Sequence, residues 1–223
     1  MRGMILAAGR GVRMGSLTDH TPKPLLKAAG KYLIEYSIDA LTKIGVREIV
    51  INICYHKDHI KKTLGDGSRY GATFYYSEEQ EALETGGGVF QALPLLGDQP
   101  FIVLSSDIIT DYPLSQLPKE PEQLAHLVLV NNPEFHPRGD FCLTDKKIYY
   151  TEQNQFTFAN IGLYRPELFA NCKPGKFRLG DLIKNAVKNS QVTGEHYEGV
   201  WHNVGTPEDL GTYELRKNKK TLV

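Results

Sequence analysis

Two short stretches near the N-terminus gather cations and small residues in a pattern suited to holding phosphate. The first, Leu6-Ala7-Ala8-Gly9-Arg10-Gly11-Val12-Arg13-Met14, leaves an apolar run and becomes a glycine-rich loop with two arginines. Small residues let backbone amides approach a phosphate closely, so Leu6, Ala7, Ala8, Gly9 and Gly11 are candidate nucleotide-binding positions. A dinucleotide fingerprint is excluded, because Gly15 follows at the wrong spacing and the second apolar run ends in Asn52 rather than an acid; a Walker loop is absent too. In the second stretch, Thr21-Pro22-Lys23-Pro24-Leu25, prolines fix the backbone on both sides of one lysine and deny it a long helix or a central strand. Alone, the glycines read equally as a tight turn and the lysine as a solvated turn cation. Separated by about one loop length, Arg13 and Lys23 can converge on one triphosphate and neutralise charge developing on its α-phosphate.

A third candidate is Asp107, which follows the apolar run Phe101–Leu104 after two serines. That places a carboxylate just beyond the carboxyl end of a strand, where open α/β sheets bind ligands, although an aspartate there also serves as an ordinary turn or cap residue. Mg²⁺ takes one or two carboxylates plus phosphate oxygens and waters, so Asp107 with a triphosphate could hold it, with Asp111 the weaker candidate. His56 and His59 sit three apart on a helical pattern without a third ligand, and no zinc site is expected. Further along, Gly139, Asp140, Glu152, Asn160 and Gly162 lie in strand-and-loop segments that could bind sugar hydroxyls, while each taken singly has the ordinary reading of a surface polar residue.

These residues need a scaffold that brings strand ends together. Met4–Ala8, Glu48–Ile53 and Phe101–Leu104 are continuous apolar runs of the kind that form buried parallel strands. Between the first two, Leu33, Ile34, Ile38, Leu41 and Ile44 recur at helical spacing, with Gly45 just past the end, as in a βαβ crossover. Helices over His56–Leu64 and Val89–Leu96 and a strand over Thr73–Tyr76 continue the alternation, so an α/β doubly wound sheet is expected. From Pro113 the alternation weakens into an α+β half with strand-like runs at 127–130, 141–143, 147–150 and 158–164 and helices at 177–187 and 208–215. The expected organisation is one domain over 1–223, with a nucleotide-binding half (1–112) and a small acceptor-binding half (113–223). Gly205-Thr206-Pro207 is a plausible cap for the last helix, and the basic run Arg216–Lys220 suits its C-terminal end.

The chain has 26 basic and 26 acidic residues, so no global field recruits nucleic acid or an anionic membrane. No apolar stretch is long enough to span a bilayer, and the N-terminal run lacks signal-peptide form. Three scattered cysteines suit free thiols in a reducing cytoplasm.

The composite Leu-Ala-Ala-Gly-x-Gly-x-Arg followed by Pro-Lys-Pro resembles the signature of nucleotidyltransferases that act on sugar 1-phosphates. The resemblance continues through Leu33-Ile34-Glu35-Tyr36, Glu84-Thr85-Gly86-Gly87-Gly88, Arg138-Gly139-Asp140-Phe141, Gly194-Glu195-His196-Tyr197 and Trp201 to Thr206. It implies a Rossmann-like mixed sheet of the nucleotidyltransferase type, with Arg13 and Lys23 gripping phosphates. Only this resemblance lifts Asp107 above the ordinary turn or cap reading and makes it the expected metal ligand. It puts the nucleobase at Glu81, which would accept a base N–H, and at Gly86 or Gly87, which would supply a backbone amide. The implied substrates are a nucleoside triphosphate and a sugar 1-phosphate, most nearly UTP and N-acetylmuramate α-1-phosphate in peptidoglycan recycling, with Mg²⁺ as cofactor; GTP with mannose 1-phosphate is the alternative pair. Two departures stand out. The family's Trp-x-Asp-x-Gly-Thr block reads Trp201-His202-Asn203-Val204-Gly205-Thr206, so an amide replaces the second metal carboxylate, and a degenerate nucleotide-sugar binding protein becomes a rival reading. Gly15-Ser16 replaces a larger residue and proline, which predicts a looser phosphate loop. Oligomeric state is not legible.

Overall fold

A computed structural model describes residues 1–221, with side chains as far as Leu215; those of the basic run Arg216–Lys220 lie outside the described residues. The alternating half consists of β1 (Gly3–Leu6), a short hairpin of β2 (Lys27–Ala28) and β3 (Lys31–Tyr32), α1 (Leu33–Lys43), β4 (Glu48–Ile53), α2 (Lys57–Leu64), β5 (Thr73–Glu78), α3 (Glu84–Leu96) and β6 (Phe101–Ser105). The second half adds β7 (Ile108–Thr110), β8 (Ala125–Asn131), β9 (Cys142–Thr144), β10 (Lys147–Tyr149), β11 (Phe156–Tyr164), α4 (Leu179–Lys188), β12 (Val192–Tyr197), β13 (Trp201–Asn203) and α5 (Pro207–Thr221).

One nine-stranded sheet in the order β5-β4-β1-β6-β11-β8-β12-β10-β9 runs through both halves. β5, β4, β1 and β6 are mutually parallel, β11 runs antiparallel to both β6 and β8, and β12 lies parallel to β8. The parallel part is the doubly wound sheet expected from the alternation, and the antiparallel strands make it the mixed sheet that the resemblance implies. α1 lays Ile34, Ile38 and Leu41 on one face of the sheet, at the i, i+4, i+7 spacing that makes a continuous helical stripe. α3 and α4 cover the other face with Val89, Ala92, Leu96, Leu179, Ile183 and Val187. A smaller cluster of Met14, Leu26, Leu33, Ile109, Val204 and Tyr213 ties the loop after β1 to the last helix. Met14 is fully buried there, a contribution of about 1.5–3 kcal/mol that holds the neighbouring Arg13 in register.

Four elements differ from the sequence expectation. α3 starts at Glu84 instead of Val89, taking Gly86, Gly87 and Gly88 into its first turns. β12 had no counterpart in the reading, because Gly194, Glu195 and His196 interrupt any apolar run; its register against β8 supplies the missing order. The β7–β13 ribbon is only three residues per strand, too short for a periodic signal. Lys23 opens a single 3-10 turn, Lys23–Leu25, consistent with flanking prolines that forbid anything longer.

Candidate active site

β1 sits between β4 and β6, with Leu6 in register with both Asn52 and Ser105. The strand order therefore diverges at this edge, where doubly wound sheets leave a crevice outside the carboxyl ends. A cleft of about 430 Å³ opens there. Leu6, Ala7, Ala8, Gly9 and Gly11 line it, and Arg13, Lys23 and Asp107 join them from three separate segments. Gly11 is left-handed (φ 73°), and a Cβ on it would come within 2.9 Å of Lys23 Cβ. Glycine is thus what lets the proline-flanked turn lie against the loop. The Thr18 hydroxyl donates to the carbonyls of Gly11 and Gly15, each at 3.1 Å, and closes the segment that Gly15-Ser16 had been expected to loosen. Among the described residues no hydrogen bond claims the amides of Gly9, Arg10 and Gly11, and nothing lies within 4 Å of a Cβ built on Gly9. The Ala7 amide is committed, donating to Asn52 Oδ1 at 2.9 Å.

The cations and the carboxylate converge. Lys23 Nζ pairs with Asp107 Oδ2, and both side chains are largely buried. Arg13 lies over Gly205, where a Cβ would sit 3.2 Å from its guanidinium nitrogens. Gly205 and Thr206 donate their amides to Asp209 Oδ2 at 3.0 and 2.8 Å while the Asp209 amide donates to the Thr206 hydroxyl, a capping box with Pro207 at the first helical position. The cap expected at Gly205-Thr206-Pro207 thereby also fixes the floor under Arg13.

Asn203 ends β13 opposite Ile108, and the Val204 amide donates to the Asp107 carbonyl at 2.9 Å, so Asn203 and Asp107 occupy adjoining backbone positions. Asn203 Oδ1 is buried and has no hydrogen-bond partner among the described residues. A buried unsatisfied carbonyl costs about 1–3 kcal/mol unless something else ligates it. No group of three or more His, Cys, Asp or Glu gathers among the described residues, so a hard cation here draws most of its oxygens from phosphate and water. One carboxylate beside one orphaned amide oxygen fits Mg²⁺ on those terms.

Sequence reasoning missed a buried hydrogen-bonded pair in the cleft wall, Asn52 and Glu79. Asn52 Nδ2 donates to Glu79 Oε1 at 2.7 Å, and the Leu83 amide donates to Glu79 Oε2 at 2.9 Å. Together with the Ala7 bond this ties the ends of β1 and β4 to the start of α3. Burial pushes the Glu79 carboxyl above the ordinary carboxylate range, opposed by its bonds from Leu83 and Asn52. Gly88 is the signal that could have found it, since a Cβ there would lie 2.6 Å from Asn52 Nδ2 and 2.7 Å from Glu79 Oε1.

The nucleobase assignments need correction. The amides of Gly86 and Gly87 both donate to the Phe177 carbonyl, at 2.9 and 3.1 Å, and are not free for a base. These glycines serve close packing: a Cβ on Gly86 would lie 2.5 Å from the Phe177 ring and one on Gly87 2.2 Å from the Gly175 carbonyl oxygen. Glu81 is exposed and does not line the cleft, whereas Ala82 and Glu84 do.

A second cleft of about 460 Å³ adjoins the first and shares Leu6, Glu84 and Thr85 with it. Asn160, Asp140 and Asn203 line this one. Asn160 lies in an irregularity of β11, where the three residues between Phe158 and Gly162 stand opposite one on β8, and it is left-handed (φ 57°). Glu84 is left-handed as well (φ 62°), so two strained non-glycine residues line the same cleft. Asp140 has both oxygens engaged, one by the Phe158 amide at 2.9 Å and the other by His136 Nε2 at 3.1 Å. Gly139 lines only a neighbouring recess of about 360 Å³. Gly162 does not meet the sugar-site expectation: it is buried beneath the Tyr164 side chain, which a Cβ would approach to 2.6 Å. Glu152 is exposed and lines neither cleft, although Thr151 and Asn154 beside it line the recess.

A model of the nucleotidyl transferase family matches residues 2–141. The chain belongs to that family. It is 44% identical over 218 residues to the N-acetylmuramate alpha-1-phosphate uridylyltransferase of Neisseria meningitidis serogroup B, an alignment covering 92% of this chain and 94% of the relative. A mannose-1-phosphate guanyltransferase of Hypocrea jecorina is 30% identical over 94% of this chain but only 62% of its own length. Among solved structures, a putative glucose-1-phosphate thymidylyltransferase from Bacillus anthracis superposes with a TM-score of 0.85 at 20% identity, over 97% of this chain and 94% of that one, a likeness of fold. Among the described residues no helix is long and apolar enough to cross a membrane.

Proposed function

We propose that this nucleotidyltransferase moves a uridylyl group from UTP to N-acetylmuramate α-1-phosphate and releases pyrophosphate, a cytoplasmic step in the reuse of peptidoglycan sugar. The observation that carries it is the 44% identity along nearly the full length of both chains, joined to two adjoining clefts, the first of them lined by Lys23 and Asp107. The mannose pair is the less favoured alternative, because those relatives match over less of their own length and at lower identity.

In the proposed reaction a phosphate oxygen of the acceptor attacks the α-phosphorus of UTP, forming the new P–O bond as the bond to the bridging oxygen of pyrophosphate breaks. The attacking oxygen is already deprotonated at neutral pH, so no general base is required. Catalysis is positioning and charge neutralisation. The free amides of Gly9, Arg10 and Gly11 would receive phosphate oxygens, and Lys23 would exchange Asp107 for the triphosphate, with Arg13 held beside it by Gly205. Asp107 and Asn203 would hold Mg²⁺, whose chemistry there is neutralisation of the phosphate charge.

The test is pyrophosphate release across four nucleoside triphosphates and the 1-phosphates of N-acetylmuramate, N-acetylglucosamine, glucose and mannose, run with wild type and Lys23→Ala. Release confined to UTP with N-acetylmuramate 1-phosphate, and reduced on the order of 100-fold by Lys23→Ala, is the expected result. A different preferred pair would overturn the substrate reading, and an unimpaired Lys23→Ala the mechanism. Nucleotide binding without any turnover would favour the degenerate binding protein suggested by Asn203.

A further inference from the structure

The acceptor cleft carries two cationic side chains of arginine or lysine, Arg178 at the start of α4 and Lys184 within it. Arg178 is the N-cap of that helix, and the next amide, Leu179, donates to the Thr85 hydroxyl at 3.0 Å, which puts this end of α4 at the border with the nucleotide cleft. Lys184 lies six residues on, about 9 Å along a helix axis, where the acceptor cleft meets the neighbouring recess; it lines both. Among the described residues the Arg178 side chain reaches only Glu84, at 4.0 Å. The Lys184 side chain is exposed and makes no ion pair or hydrogen bond among the described residues, including with Asp181 and Asp140 on the same wall. The Asp140 carboxylate is already bonded to His136 and to the Phe158 amide.

Two cations separated along one wall match an acceptor with two anions. N-acetylmuramate 1-phosphate carries a phosphate at C1 and, across the ring, a carboxylate on the lactyl ether at O3. Hexose and N-acetylglucosamine 1-phosphates carry the phosphate alone. Resting on the substrate reading above, we propose that Lys184 reads the lactyl carboxylate and makes this enzyme selective for a muramyl acceptor, while Arg178, at the border, faces the phosphate end. A lysine suits the task because its single ammonium on a long stem follows a carboxylate that turns about the ether bond.

The decisive pair of substrates is N-acetylmuramate 1-phosphate and N-acetylglucosamine 1-phosphate, which differ only by the lactyl group. With UTP and Mg²⁺, KM would be measured for whichever acceptor turns over, and Ki as a competitor for one that does not, in wild type, Lys184→Met and Lys184→Arg. The proposal expects Lys184→Met to raise KM for the lactyl acceptor about 10- to 100-fold, to leave kcat within about threefold, and to move the N-acetylglucosamine constant by less than threefold, with Lys184→Arg recovering most of the loss. Equal weakening of both acceptors, or no weakening of either, overturns it. A wild-type enzyme that ignores N-acetylmuramate 1-phosphate sinks the substrate reading instead, and that result is visible before any variant is made. Unchanged melting temperatures in the variants would show that the exposed site has not been lost to misfolding.

Discussion

Asn203 is where this chain departs from the pattern it resembles, and its surroundings explain how an amide can stand there. Its Oδ1 is buried without a partner among the described residues, beside the backbone of Asp107, a small cost that a bound cation would relieve. Asn203→Asp would add a negative charge to the same position. Without metal that charge is partly desolvated and close to Asp107, so the melting temperature should fall. With Mg²⁺ the second carboxylate becomes a ligand, and the half-saturating Mg²⁺ concentration for turnover should drop roughly tenfold, about 1.4 kcal/mol. Thermal melts and Mg²⁺ titrations of the two proteins check both halves; a variant with unaltered metal dependence would remove Asn203 from the metal site. At this scale the sequence was informative wherever chemistry and a strand end coincide, as at Asp107, Lys23 and the glycine loop. It misled at Gly86 and Gly87, whose amides meet the Phe177 carbonyl about ninety residues away, and it was silent on Glu79, whose partners come from β4 and the start of α3.

The first turn of α3 and the irregularity in β11 both hold a side chain in a backbone conformation it disfavours. Glu84 at φ 62° and Asn160 at φ 57° line the same cleft. Asparagine tolerates the left-handed region, whereas glutamate there costs on the order of 1–2 kcal/mol. The Glu84 amide to Gly86 segment is clamped by Phe177 and by the Thr85–Leu179 bond, which is what keeps the strained conformation populated. Glu84→Gly should relieve the strain, less about 0.5–1 kcal/mol for the greater freedom of glycine in the unfolded chain, and so raise the melting temperature by about 1–4 °C. It should also lower kcat/KM, because the carboxylate shared by both clefts is lost. Calorimetry and steady-state kinetics on one preparation suffice; a less stable or fully active Glu84→Gly would show that the strain serves no function. The α/β elements of the first half were legible because their apolar periodicity is strong. α3 was read too short, since three glycines mask a helix whose first turn is held by tertiary contacts, and β12 became a strand only through its pairing with β8.

The sheet joins what the sequence divided into two halves. β6 belongs to the nucleotide half and β11 to the acceptor half, yet they pair over four residues, and β7 pairs with β13 across some ninety positions of chain. α3 and α4, again one from each half, cover the same face over a common core that includes Val89, Phe101, Leu127 and Ile183. Parting the halves would expose that core and break the β6–β11 ladder, so neither half keeps a complete hydrophobic layer alone. We therefore expect one cooperative unfolding transition. Trp201, the single tryptophan, is the suitable probe: it lies in the β13 ribbon, donates its indole N–H to the Ala159 carbonyl at 3.0 Å and lines the acceptor cleft. Urea unfolding followed by its fluorescence should coincide with unfolding followed by far-ultraviolet circular dichroism, with one midpoint and one slope. If fluorescence changes first, the acceptor half opens on its own, and the two clefts can vary their separation without unfolding the strands that carry Lys23 and Asp107. Coincident curves would mean that the clefts are fixed relative to each other by the same core that folds the chain, as in-line transfer between two bound phosphates requires.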